Sequence, residues 1–178
     1  MSIVILSSKE HTFSQKERSR LFEIMRDAYA RTEIEIWGKN YLRMPQNEYE
    51  TLINEGRIIG AILDNQIVGS IYSRNIDTDT STFGLLAVHR DFGGLGIGTA
   101  LVEAVEDRAK IEGSKYMSLE ILRPRDFKVP IKDRLRNWYE AMEYAFTHHE
   151  NFQDRRPDRA KDLKVPSVFD CYRKKLKE

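Results

Sequence analysis

Apolar positions along this chain change their spacing several times, and each spacing predicts a different element. Ile3 to Leu6 is a short apolar run that predicts a strand. From Ser14 the period lengthens: Leu21, Met25, Ala28 and Tyr29 fall at i, i+4, i+7 and i+8, one face of a helix. Ser14 and Glu17 stand three apart, the spacing of a capping box, and fix its start. Pro45 marks a second helix start, with Tyr49, Leu52 and Ile53 inward and Gly56 as its stop. Residues 57–63 and 66–76 are β-rich and flank Asp64-Asn65. Both of those tolerate left-handed backbone, which predicts a two-residue hairpin. Asp77 to Ser81 reads as a turn and 82–88 as a further strand.

A helix pattern follows the glycines at 93–98. Ala100, Leu101, Ala104, Val105 and Ala109 point inward, Glu103, Glu106, Asp107, Arg108 and Lys110 outward, and Gly113 ends it. Tyr116–Leu122 reads as a strand, 123–130 as a loop holding two prolines, and Ile131–Glu143 as a helix. A short strand near Tyr144–His148, a charged loop to Lys164 and a last strand, Val168–Arg173, complete the pattern. Within that loop, Asp154–Asp162 is polar and is expected to be mobile. The order is strand, two helices, three strands, helix, strand, helix and two strands, so the class is α/β (α+β) in a single domain, 1–178.

Bulk properties narrow the function. Charged residues are 32% and hydrophobic residues 40%, a globular balance, and the net charge is +1, which gives no electrostatic case for nucleic acid. Cys171 is the one cysteine, so there is no disulfide framework and a reducing compartment fits. The N-terminal apolar run is too short for a signal peptide or a membrane span, so the expected location is cytoplasmic. No Cys/His spacing points to a metal, and His148-His149 reads as a surface pair.

Candidate chemistry concentrates after the 82–88 strand. Four of the ten glycines are Gly93, Gly94, Gly96 and Gly98. Strand, glycine turn and helix N-terminus make a phosphate cradle, because bare backbone N–H groups and the helix dipole meet there. A Walker loop is excluded, since no Gly-Lys-Ser/Thr occurs. A dinucleotide fingerprint is excluded because its third glycine would fall on Thr99 or Leu101. What remains is Gly96-x-Gly98-Thr99, preceded by Leu86-Ala87-Val88-His89. This resembles the acetyl-CoA signature of the GNAT superfamily of N-acetyltransferases, Gln/Arg-x-x-Gly-x-Gly/Ala, with Gly93 in the Gln/Arg slot. The element order is similar to the GNAT fold over nearly the whole chain. The resemblance implies a mixed, mostly antiparallel central sheet of about seven strands, helices on both faces, and a splay between the fourth and fifth strands.

A second stretch, Leu135 to Tyr144, resembles the family signature Ala-x-x-Leu/Phe/Trp-Tyr-Glu-Lys/Arg-Leu/Met-Gly-Phe/Tyr. Leu135 stands for Ala and Glu143 for Gly, and the Asn usual seven residues before the Tyr is Lys132. The resemblance makes Tyr139 the acid that protonates the leaving thiolate, and passes the Asn's cofactor contact to Lys132 or Asn137, or loses it. A plain aromatic packing on the sheet is the other reading of Tyr139. Leu119-Glu120-Ile121 resembles the Leu-Glu-Val strand motif of the branch that acetylates protein N-termini. That likeness makes Glu120 a general base through water, with a solvent-facing Glu as the alternative. By the same resemblance, the Leu86 N–H meets the oxyanion, Ala87 and Val88 pair with the cofactor's pantetheine arm, and the turn Gly93, Gly94, Leu95, Gly96, Ile97, Gly98 and Thr99 takes its pyrophosphate.

The implied reaction is acetyl transfer from acetyl-CoA to a primary amine, on a small molecule, a protein N-terminus or a lysine, without a metal, nucleic acid or membrane. Its rival is a CoA-binding regulatory or interaction module that has lost the chemistry. The expected acceptor side, Ala30–Asn47, Arg123–Pro130 and Asp154–Val165, contains Glu33, Glu35, Trp37, Tyr41 and Asp126, a mix suited to a cationic amine. The last strand is a candidate for pairing in a homodimer.

Overall fold

Two strands that are apolar on both faces set the architecture. In β2 (Ile58–Leu63) and β3 (Gln66–Asn75), Ile58 and Ile67 look one way, while Ile59, Ala61, Val68 and Ile71 look the other; all are buried. Such strands must be covered on both sides. In the computed structural model, which describes residues 2–178, α1 (Gln15–Thr32) and α3 (Gln46–Asn54) cover the first face. The second is covered by α4 (Ile97–Ile111) and α5 (Pro130–Ala141). The capping box at Ser14 and Glu17 is formed as the spacing requires, and Asp64 and Asn65 take φ of 50° and 64°, closing the β2–β3 hairpin.

Seven strands form one sheet. β1 (Val4–Ser7), β2, β3, β4 (Thr80–Val88), β5 (Tyr116–Pro124), β7 (Ser167–Lys175) and β6 (Ala145–Asn151) lie side by side in that order. Every pairing is antiparallel except β4 with β5. That parallel pair is brief: Thr80, Ser81 and Thr82 face Tyr116, Met117 and Ser118. Beyond it β4 and β5 continue to Val88 and Pro124 without pairing to each other, which is the expected splay. A bulge on β4 accompanies the divergence. Tyr72 faces Gly84 and Ser70 faces Ala87, so β4 carries an extra residue there, and Leu85 sits at φ 52°.

Gly69 on β3 seats α4. A Cβ there would lie 2.9 Å from Ile97 Cγ2 and 3.0 Å from the Ala87 carbonyl, so a glycine lets the helix's first turn press on the sheet.

Several expectations are corrected. Glu106 is buried, because it accepts from the Tyr144 hydroxyl at 2.6 Å and from Lys174 Nζ at 3.1 Å, pinning α4 to the far strands. The last strand has no free edge for a partner, since β7 lies between β5 and β6. Short helices α2 (Ile34–Trp37) and α6 (Phe152–Arg155) fall in stretches read as connectors. The polar 154–162 segment is tied down: Arg159 donates to the Arg43 carbonyl at 2.8 Å and lies over the Trp37 and Tyr41 rings. Glu143 takes φ 74°, the conformation for which the family signature has glycine, so the turn geometry is kept without the residue that favours it.

Candidate active site

The splay opens a cleft of about 980 Å³ that runs through the sheet. Gly98, Trp138 and Tyr139 line it from the α4–α5 side, and Tyr29, Glu33 and Trp37 from the α1–α2 side. Leu86, Ala87 and Val88 of β4 and Glu120 of β5 form its two lips. The geometry therefore brings together residues that the sequence singles out on three separate segments.

Of residues 93–99, Gly98 lines the cleft, in the first turn of α4. Gly94 and Gly96 sit at φ 75° and 81°, and a Cβ on Gly93, Gly94 or Gly96 would meet nothing within 4 Å. Core packing does not require glycine there; the backbone is bared to open space. α4, with Gly96 at its N-cap position, has no side-chain cap and no acid in its first turn, so among the described residues no side chain takes its orphan N–H groups. This donor set suits a pyrophosphate. Ile97 is buried in the core and offers only backbone, Leu95 is exposed, and Thr99 is half-buried. Gly98→Asp would put a carboxylate beside Trp138, whose ring lies 3.4 Å from where the new Cβ would sit, and beside any bound phosphate. CoA affinity is expected to fall about ten- to a hundredfold with the fold retained. Calorimetry and thermal melting read the two; unchanged affinity would reduce the glycines to a turn.

Tyr139 is buried among Phe83, Trp138 and Tyr144, with its hydroxyl free of hydrogen-bond partners among the described residues. Burial pushes its pKa well up, so the hydroxyl stays protonated. Glu120 projects to the face opposite Leu119 and Ile121, on the cleft wall, where Arg155 of α6 pairs with it at 2.8 Å. Asn137 is exposed on α5 and takes no part in the cleft wall. Lys132 is not free for a cofactor: its Nζ donates to Glu33 Oε2 at 2.7 Å, and Glu33 also accepts from Trp37 Nε1 at 3.1 Å. The pair joins helices from opposite faces across the splay, and both members are buried.

The cationic-amine seat read from the sequence does not form. Glu33 is neutralised by Lys132, Glu35 points to solvent, Asp126 is paired with Arg125, and Tyr41 is engaged by Arg159 and Asp162. Sequence reasoning misses Tyr29 and Arg155. The first has the spacing of an ordinary core residue, and the second lies in a segment whose charge pattern looks like any solvated loop. Burial, and then the Glu33 charge, raise the Tyr29 hydroxyl's pKa, opposed by the Arg43 charge and then by the Leu85 backbone at the bulge.

Cys171 sits in register with Glu120 and is buried. Burial first, then the Glu120 and Glu150 charges, push its thiol up to about 11. Thiolate is then about one part in a thousand at pH 8. Iodoacetamide is expected to label native Cys171 far more slowly than the unfolded chain, with a rate rising about tenfold per pH unit up to that value. Equal labelling rates in the two states would contradict it. His148, Glu150 and Cys171 bring ligand atoms within 4.8 Å of one another, but Arg155 already holds Glu150 at 2.7 Å.

The acetyltransferase (GNAT) family pattern matches residues 20–128, which run from α1 through the splay and the glycine turn to just past β5. The chain belongs to the GNAT acetyltransferase family. No curated protein sequence matches it. Among solved structures, the GNAT fold is shared with Ard1 from Thermoplasma volcanium, at 16% identity and a TM-score of 0.70 over 100% of both chains. An aminoglycoside 6'-N-acetyltransferase complexed with coenzyme A matches at 15% identity and TM-score 0.70, over 98% of each chain. YncA from Salmonella typhimurium, solved with acetyl-CoA, matches at 14% identity and TM-score 0.68, over 100% of this chain and 96% of the other.

Proposed function

We propose that the protein is an acetyl-CoA-dependent N-acetyltransferase that acts on a primary amine by direct attack in a ternary complex, in a reducing compartment such as the cytoplasm. The observation that carries this is the cleft through the splay. It is lined by Gly98 and Tyr139 on one side, and by Glu120 of β5. Acetyl-CoA supplies an activated thioester there, and GNAT relatives solved with acetyl-CoA or coenzyme A support the choice.

The protein's own groups then divide the work. The N–H groups of the glycine turn and of the first turn of α4 hold phosphate. At Ala87 and Val88 the edge of β4 that faces β5 has no strand partner and offers backbone for an extended arm. An alkylamine has a pKa of about 10.4, so about one molecule in a few thousand is neutral at pH 7. Glu120 takes the proton from the ammonium, directly or through water. The bulge re-aims the Leu86 amide toward the oxygen on which negative charge develops. Tyr139 keeps its proton until the thiolate needs it.

Incubation with acetyl-CoA alone is expected to leave the protein's intact mass unchanged, while added amine gains one acetyl group. Acetylated protein formed without amine would contradict direct attack. Glu120→Gln is expected to lower kcat/KM most below the amine's pKa, with the deficit shrinking as pH rises and neutral amine becomes abundant. A deficit of the same size at every pH would make Glu120 a binding charge instead of the base.

A further inference from the structure

The cleft carries a strong local excess of positive charge. Eight of its lining side chains are Arg or Lys and two are Glu, although the chain's net charge is only +1. Both carboxylates are already paired, Glu33 with Lys132 and Glu120 with Arg155. Arg31 and Arg156 have their own partners, Asp27 and Asp158. Arg43, Arg74, Arg134 and Arg159 have no carboxylate within salt-bridge distance among the described residues. Arg134 is on α5, the helix whose Trp138 abuts Gly98, and so lies on the phosphate side.

Arg43 and Arg159 lie on the opposite side, next to each other. Arg159 Nη1 donates to the Arg43 carbonyl at 2.8 Å and its guanidinium lies 5.6 Å from the Trp37 ring centre, so it is held by the fold. Arg43 is half-buried; its guanidinium stands 5.8 Å from the Tyr29 ring centre and donates no hydrogen bond to the described residues. A guanidinium left without a counter-ion in a cleft with low-dielectric walls attracts an anion, and its planar fork fits a carboxylate or phosphate.

We propose that the amine acceptor also bears an anionic group, a carboxylate or a phosphate, which Arg43 binds while Arg159 fixes the Arg43 segment. The inference rests on the acetyltransferase reading for its amine. In this arrangement the anion meets Arg43, beside Tyr29, and the amine meets Glu120 on the β5 lip, where Arg155 already pairs with it. A polyamine has nothing to gain from the same wall and is repelled by it.

Two matched pairs test this: β-alanine against β-alaninamide, and phosphoethanolamine against ethanolamine, with putrescine as a dication. Thiol release from acetyl-CoA gives kcat/KM for each, and calorimetry on CoA-saturated protein gives binding without turnover. The expected result is a preference of about tenfold or more for the anionic member of at least one pair, and the favoured pair tells carboxylate from phosphate. Arg43→Gln should erase that preference by raising KM for the anionic amine, and Arg43→Lys should restore part of it, with thermal melting confirming the fold. Equal use of neutral and anionic amines, or a preference for putrescine, would overturn the anion site and leave acetyl transfer standing. Anion binding lost in Arg43→Gln, with no thiol release from any amine, would overturn acetyl transfer and leave the anion site standing. Neither binding nor release would overturn both.

Discussion

Tyr139→Phe is expected to slow acetyl transfer by about 10²–10⁴-fold, the range for removing a general acid. The substitution is clean because the ring, packed against Phe83 and Tyr144, keeps its contacts. The lost hydroxyl has no partner among the described residues, so no donor or acceptor is stranded in the core. Stability should therefore hold while kcat and kcat/KM fall together, the pattern for an interaction made only in the transition state. CoA affinity, read by calorimetry, should change little. Turnover at the unsubstituted rate would return Tyr139 to a packing role.

The second large effect is on stability. Lys132→Met is expected to cost about 3–5 kcal/mol, because it leaves the Glu33 carboxylate buried with only the Trp37 indole N–H. Adding Glu33→Gln should recover most of that loss, since a buried pair replaced on both sides is often near neutral. A total of about 5–15 kcal/mol is usual for a domain, so the single variant should be visibly close to unfolding in urea. Because the pair bridges the α1–α2 junction and α5 over the gap between β4 and β5, the loss should also loosen the cleft. Two small, additive single effects would show instead that the pair is a solvated contact.

Elements with strong local signals were legible in the sequence. The capping box, the Asp64-Asn65 hairpin and the apolar runs of β2 to β4 each depend on neighbours in the chain, and each formed as read. Glu106 was misplaced because helical periodicity assigns faces relative to one sheet, whereas its partners, Tyr144 and Lys174, come from the far end of the chain. The exchange of the family's Asn for Lys132 was visible, but its consequence depended on Glu33, 99 residues away, to which it is hydrogen-bonded. The charge of the acceptor side escapes a sequence reading for the same reason. Carboxylates at Glu33 and Asp126 stand out in the sequence, while their neutralisation by Lys132 and Arg125, and the absence of any such partner for Arg43 among the described residues, are properties of the folded arrangement.

The most direct test of the reaction is release of free thiol from acetyl-CoA by the purified protein, with and without a mixed panel of primary amines. The expected result is release that depends on the amine and is suppressed in Tyr139→Phe. A folded protein that binds CoA yet releases no thiol with any amine would contradict acetyl transfer and leave a CoA-binding module in its place.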